Sequence, residues 1–328
     1  MQFRILAVVS AALVSSAIMA APEPIIDMHL HAFKADDQGP PPVGVCAPYE
    51  SFPDRDTRID GTAYTMGLFK TPPCAAPIWS AEDDDDLRRR SLAILETYNI
   101  TAVTSGSPAL VARWKQGSPQ RIISGVYFGI DELIPVAALR AMHDAGALQV
   151  LGELGFQYGG AAPGDSRLEP YWALAEELDI PVAIHMGPGP PGTPYVPGLG
   201  AYRMTLSNPL LLEDLLVRHP HLRVYVMHAG WPMADAMVAL LYAHPQVYVD
   251  TGVIDYVLPR AEFHHYLQRL VEAGFGRRIM FGSDQMVWPD AIPVAIANIQ
   301  SAPFLNAGQK RDILHDNAAR FLRLPDAP

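Results

Sequence analysis

The feature that most constrains this chain is an alternation. Short apolar, β-branched runs recur along nearly its whole length, and segments with apolar residues at helical spacing lie between them. Such a pattern is the mark of repeated βα units, whose strands pair in parallel because each helix carries the chain back across the sheet. The strand candidates are residues 24–31, 100–105, 121–128, 148–154, 181–186, 222–228, 246–251 and 278–283. Helical spacing is clear over 84–98, 168–178, 209–218, 232–243 and 260–273, and residues 309–324 read as a closing helix packed on the sheet's wall. Eight units suit an α/β fold closed as a (β/α)8 TIM barrel. That architecture takes about 250 residues, and the chain has 328, 49% of them hydrophobic. A doubly wound open sheet is the alternative.

Two stretches are too long for ordinary βα connections. Residues 32–80 form a Pro-rich insertion after strand one, carrying Cys46 and Cys74 and the aromatics Tyr49, Phe52, Tyr64, Phe69 and Trp79. Residues 187–203 read GPGPPGTPYVPGLGAYR. Loops that follow barrel strands lie at the C-terminal mouth, where barrel enzymes build their sites, so both are candidates for a substrate lid. Cys46 and Cys74 are expected to form a disulfide, which would stabilise by about 3–4 kcal/mol in the chain-entropy view.

Residues 1–21 run from Arg4 through an apolar stretch to small residues at Ala20 and Ala21, then to prolines, which reads as a signal peptide. A membrane anchor is disfavoured because serines interrupt the stretch and it ends in a cleavage-like site. Residues 22–328 are then one mature domain. It is expected to be secreted or periplasmic, free of the membrane after cleavage near Ala20/Ala21, in an oxidising compartment that suits the cysteine pair. With 24 basic against 35 acidic residues the net charge is −11, which repels phosphate backbones and excludes nucleic acid as an expected partner. A small-molecule substrate is expected, and a homo-oligomer is left open. The acidic run 82–86 fits a helix N-terminus, where carboxylates complement the dipole.

The chemistry-bearing residues fall in a positional pattern. His29 and His31, Glu153, His185, His228 and Asp284 all sit at or near the C-terminal ends of strand candidates, which converge in a closed barrel. Residues two apart on a strand share a face, so Asp27, His29 and His31 are expected to turn inward together. The other seven histidines fall in helices or turns. Imidazoles and carboxylates are the ligands zinc takes readily, and a catalytic site leaves one coordination position open. Asp250, at the end of strand seven, could orient a ligand histidine. Arg203, in the loop after strand five, could pair with a substrate carboxylate through its planar fork.

The strings Asp27-Met28-His29-Leu30-His31, Pro181-Val182-Ala183-Ile184-His185, Val226-Met227-His228-Ala229-Gly230 and Phe281-Gly282-Ser283-Asp284 resemble the amidohydrolase superfamily, and within it the amidohydrolase 2 (amidohydrolase-related) branch. The ending His315-Asp316-Asn317-Ala318-Ala319-Arg320-Phe321-Leu322 is similar to that branch's terminal helix, so the resemblance covers nearly all the mature chain. It implies a distorted TIM barrel in which His29, His31, His185 and Asp284 bind one Zn2+ or similar divalent ion, with His228 beside it. Asp284 would take a proton from water and later protonate the leaving group, and His228 would polarise the carbonyl or orient the water. Glu153 lies where two-metal members place a bridging ligand, so one ion or two is open. The string Gly152-Glu153-Leu154-Gly155-Phe156-Gln157-Tyr158 also resembles the TatD-type nucleases, an activity the acidic charge disfavours.

Three functions follow as expectations. The first is a metal-dependent hydrolase that cleaves a C–O or C–N bond of a lactone, ester or amide through activated water. The second is a non-oxidative decarboxylase of an aromatic or unsaturated carboxylate, since the resembled branch contains such enzymes. The third is a secreted binding protein without turnover, against which the full ligand set argues.

Overall fold

A computed structural model describes residues 22–325; residues 1–21, read above as a signal peptide, lie outside the described residues, as do residues 326–328. Eight barrel strands appear in the expected order: β1 (Ile25–Ala32), β2 (Ile100–Gly106), β3 (Ile122–Ser124), β4 (Leu151–Leu154), β5 (Val182–His185), β6 (Val224–Met227), β7 (Tyr248–Asp250) and β8 (Ile279–Met280). All their ladders are parallel, β1-β2-β3 in one run and β4 to β8 in the other. Two seams join the runs. At one, the Met28 N–H donates to the Phe281 carbonyl at 2.9 Å and the Asp284 N–H to that of His29 at 2.6 Å. At the other, the Val126 N–H donates to Gly152 at 3.2 Å and the Gly155 N–H to Phe128 at 3.1 Å. The ring of eight strands is a TIM barrel, as the alternation predicted.

Alternation along each strand sorts the side chains. On β5, Val182 and Ile184 join the layer between sheet and helices, while Ala183 faces an interior cluster with Ile26, Met28, Val103, Val150, Tyr225, Met227 and Met280. On β1 that interior set corrects one expectation: Ile26 and Met28 face inward there, and Asp27 does not. A register shift between Asp27 and Leu30 then turns His29 and His31 into the mouth.

The C-terminal segment corrects another. Residues 309–324 divide into Ala307–Arg311, a π-helical turn Asp312–Asp316 and a helix Asn317–Leu322. Ala318, Ala319 and Phe321 belong to the interior cluster, with the Phe321 ring 5.6 Å from Tyr225 and 4.8 Å from Tyr248. This last helix therefore plugs the open end of the barrel opposite the histidines instead of covering its wall. The acidic run behaves as expected: Asp83 caps the helix Asp84–Thr97, accepting from the Asp86 N–H at 2.8 Å.

Both long loops roof the same mouth. In the first, Gly44–Val45 pairs antiparallel with Ile78–Trp79, the Cys46–Cys74 disulfide is formed with Cα atoms 5.9 Å apart, and Asp60 caps a helix Gly61–Lys70. The second loop rests on it. The Arg55 guanidinium lies 4.4 Å from the Tyr195 ring, and Gly61 packs so closely that a Cβ there would stand 1.9 Å from the Tyr195 carbonyl oxygen.

Candidate metal centre

The barrel's C-terminal mouth gathers His29 and His31 from β1, Glu153 from β4, His185 from β5, His228 just past β6 and Asp284 just past β8, all buried. His31 Nε2 lies 3.1 Å from His29 Nε2, 2.9 Å from Asp284 Oδ1 and 3.1 Å from Glu153 Oε2. His29 Nε2 is 3.6 Å from Asp284 and 3.5 Å from Glu153. The other Glu153 oxygen is 2.7 Å from His185 Nδ1, which in turn is 2.9 Å from His228 Nε2. Glu153 thus offers one oxygen to each imidazole pair. Three triads have ligand atoms mutually within 4.8 Å: His29, His228 and Asp284; His29, His31 and Glu153; Glu153, His185 and His228.

The outward ring nitrogens are fixed by other groups, which sets what the inward ones can do. Asp250 Oδ2 stands 3.2 Å from His29 Nδ1, and its Oδ1 accepts from the backbone N–H groups of His228 and Gly252, both at 3.0 Å. It is the orienting carboxylate the sequence suggested. Ser105 Oγ is 3.0 Å from His31 Nδ1. His228 Nδ1 is 2.9 Å from the Gly252 carbonyl, which can only accept, so Nδ1 carries a proton and Nε2 faces inward, 2.9 Å from His185 Nδ1.

Electrostatics couple the set. Burial opposes charge on His29, yet the Asp284 and Asp250 carboxylates outweigh it and hold its pKa well above the usual value. For His31 burial is likewise overcome, by hydrogen bonds to Asp284 and Glu153, and the pKa rises to about 9. Burial would raise Glu153, but hydrogen bonds from His185, His228, His29 and His31 hold it well below the carboxylate range; Asp284 is held down, against burial, by His29, His31 and His228. His185 differs: burial and the neighbouring His228 push it down.

Backbone strain sits at the same place. Asp284 has φ +47° and His228 φ +57°, left-handed conformations that cost about 1–3 kcal/mol each for such residues. They are held by the Tyr256 hydroxyl donating to the Asp284 carbonyl at 2.9 Å and by the Asp250 contact to His228.

Several contributors escaped the sequence reading. The Gln285 amide accepts from the His31 N–H at 2.9 Å and donates to the His31 carbonyl at 2.7 Å, latching β1 to the segment after β8. Asp27, expected among the inward groups, spends its carboxylate on the Ser283 N–H at 2.9 Å and hydroxyl at 2.5 Å. A Cβ on Gly252 would lie 2.4 Å from His29 Nδ1, so only glycine lets that imidazole seat. The polar residues beside the motif histidines and Asp284 were the available signal. Arg203 is not brought to the cluster: it is exposed, and its guanidinium donates to the Gly200 and Tyr202 carbonyls at 2.7 Å.

Inward imidazole nitrogens converging with two carboxylates, and a buried His185 Nε2 left without a hydrogen-bond partner, fit a divalent cation and little else. The triads that would hold it are His29, His228 and Asp284; His29, His31 and Glu153; or Glu153, His185 and His228, with His185 in no triad beside His29, His31 or Asp284.

A TIM barrel with such a cluster at its mouth is a metal-centre barrel of the enzyme type. The chain belongs to the amidohydrolase family, whose model matches residues 26–324 and whose members bind a divalent metal. Among solved structures it is similar to an uncharacterised TIM-barrel protein from Bordetella bronchiseptica, at 17% identity over 92% of this chain and 98% of that one, with a TM-score of 0.56. It is also similar to a 5-carboxyvanillate decarboxylase from Sphingomonas paucimobilis, at 15% identity over 92% and 99% with a TM-score of 0.57. A third is a protein from Acinetobacter baumannii described as a probable 2-pyrone-4,6-dicarboxylic acid hydrolase, at 14% identity over 92% and 99% with a TM-score of 0.55. At such identities the likeness speaks for the fold. No curated protein matches the chain.

Proposed function

We propose that this protein is a metal-dependent hydrolase that cleaves a C–O or C–N bond of a small lactone, ester or amide. The observation that carries the reading is Asp284: its Oδ1 lies 2.9 Å from His31 Nε2 while its Oδ2 lies 3.9 Å from His228 Nδ1, so one carboxylate borders both the metal-ligand histidines and the proposed substrate-facing imidazole. When bound, a Zn2+ or similar ion would supply the Lewis acid that lowers the pKa of water toward neutrality. Asp284, kept ionised by its histidine neighbours, accepts the proton of the attacking water and returns it to the leaving oxygen or nitrogen. His228, with Nδ1 fixed on Gly252, presents Nε2 as the group that orients the reacting oxygen. Glu153 between the two imidazole pairs supports a second ion as a variant of the same site.

Among the described residues no helix is long and apolar enough to cross a membrane. The formed disulfide is compatible with our reading of an exported, periplasmic or secreted protein acting on a small molecule. Purified protein, loaded with zinc, should consume base on lactones and esters and hold stoichiometric metal by elemental analysis. Release of carbon dioxide from dihydroxybenzoates without any ester or lactone hydrolysis would instead establish the decarboxylase reading, and no bound metal with no turnover would establish a binding protein.

A further inference from the structure

Residues 250–256, at and just past the end of β7, put no side chain into the metal-facing set, yet three of its members are fixed from there. Asp250 reaches the His29 ring at 3.2 Å and the His228 N–H at 3.0 Å. The Gly252 carbonyl holds His228 Nδ1 at 2.9 Å, and the Tyr256 hydroxyl donates to the Asp284 carbonyl at 2.9 Å. The Val253 N–H adds a contact to the Ser283 carbonyl at 3.4 Å, next to Asp284. This stretch is a hub joining the ends of β1, β6 and β8.

Local preference works against the conformation this requires. Val253 has φ +58° and ψ −43°, far from what a β-branched residue adopts, and Gly252 has no side chain with which to hold itself. The turn is closed from its far end. The Asp255 N–H donates to the Thr251 carbonyl at 3.3 Å, and the Thr251 hydroxyl donates to Asp255 Oδ2 at 3.0 Å. Thr251 and Asp255 are both buried, at 1% and 0% exposure, and among the described residues no cation pairs with Asp255. A carboxyl group taken out of water without a cation is costly, and this one is spent on a hydroxyl of its own turn. From outside, Asn298 on the helix Ala291–Gln300 donates its side-chain amide to the Asp255 carbonyl, and the Asn298 carbonyl lies 3.0 Å from His264 Nε2.

We infer that Asp255 is a positioning residue of the metal centre: clamped to Thr251, it sets the Gly252 carbonyl against His228 and the Tyr256 hydroxyl against Asp284. This rests on the hydrolytic reading above for the chemistry and on the hydrogen bonds for the placement. With the clamp released, the Gly252 carbonyl is free to turn from Nδ1, which lets the His228 ring rotate. The short helix Ile254–Val257, which carries Tyr256, loses the side-chain bond in its first turn, and Asp284 relaxes from φ +47°. Misplacing by about 1 Å the groups that meet a reacting atom costs on the order of 100-fold in rate. Asp255 acts through Thr251, Gly252 and Tyr256, so the loss falls on turnover and leaves substrate affinity largely unchanged.

Substitutions in the clamp test this, with the zinc-loaded protein and phenyl acetate as the probe. Thr251→Val keeps the side chain's shape and removes the hydroxyl, Asp255→Ala removes its acceptor, and Asp255→Asn keeps an amide oxygen that accepts the same hydrogen bond. Thr251→Val and Asp255→Ala should lower kcat about 10–100-fold with KM within about threefold of the parent, while Asp255→Asn should keep kcat within about threefold. Cobalt-loaded protein gives a readout that needs no turnover: at full occupancy the visible absorption bands should shift in Thr251→Val and Asp255→Ala and stand at their parental positions in Asp255→Asn. Parental kcat and parental cobalt bands in Thr251→Val and Asp255→Ala, even with a lowered urea midpoint, would make Asp255 a cap of its own turn and overturn the inference. So would an Asp255→Asn variant as impaired as Asp255→Ala. A parent that leaves phenyl acetate intact, with the cobalt bands shifting as expected, would instead remove the hydrolytic reading and leave the positioning role in place.

Discussion

The floor and the roof of this mouth are built on different physics. On the floor, each metal-facing side chain leaves a strand end and is fixed by a group from another strand: Asp250 on His29, Ser105 on His31, Glu153 on His185. On the roof, the first loop is held by its antiparallel pair, the disulfide and backbone bonds such as the Tyr49 N–H to the Val257 carbonyl at 3.0 Å, and the second rests on it through a cation–π contact and close glycine packing. The floor is over-determined and keeps strained residues such as Asp284 in place; the roof is secured mainly by contacts local to its own loops. A rigid floor with a locally stapled roof separates the chemistry from the choice of substrate.

That separation can be broken by experiment. Asp284→Asn should lower turnover by about 10²–10⁴-fold, the range for a lost general base, with the fold retained by circular dichroism; turnover within a few-fold of the parent would remove Asp284 from the proton path. Cutting the roof's staple with Cys46→Ser and Cys74→Ser should destabilise by about 3–4 kcal/mol for a separation of 28 residues. Denaturant unfolding reads this, and elemental analysis should still find the ion, so metal loss would show that floor and roof are one unit.

A pH series sharpens the contrast further. In the metal-free protein the His31 pKa is raised from the ordinary 6.5 to about 9. Its contribution is fully present below about pH 6.5 and is lost as pH rises through about 9. Thermal unfolding of the metal-free protein should therefore show falling stability across that window, by an amount on the order of 3 kcal/mol. The metal-loaded protein should not show the fall, because the ion replaces the proton. A flat metal-free profile would mean the carboxylates do not hold that proton. Asp250→Ala should weaken metal binding about 10–100-fold, read by competition with a chelator. Ser105→Ala, which removes a single contact to His31, should have the smallest effect, a few-fold in the same assay.

The same contrast explains what the sequence made legible. Strand alternation alone puts Ala183 inside and His185 at the mouth, and the order of histidine motifs follows the order of strands, so the barrel and all six members of the cluster could be read without coordinates. Asp27 misled because the register shift after it depends on pairing with β2, which spacing along one strand cannot carry. The terminal helix misled because an amphipathic stripe says that a face is buried and not against what, here the barrel's interior end. Arg203 misled because a loop conformation decides where a guanidinium points, and there it turned to its own carbonyls. Gln285 and Gly252 act through backbone atoms and close approach, which leave little trace in residue type.

One feature of the seam reaches into how the molecule is made. The bond from Ser283 to Asp27 spans 256 residues, and beside it the earliest members of the cluster, His29 and His31, meet the last, Asp284. During synthesis the first two imidazoles precede Asp284 by more than 250 residues. The cluster is therefore complete only once the last strand is in place: a chain that stops before β8 lacks both Asp284 and the Ser283 contact to Asp27.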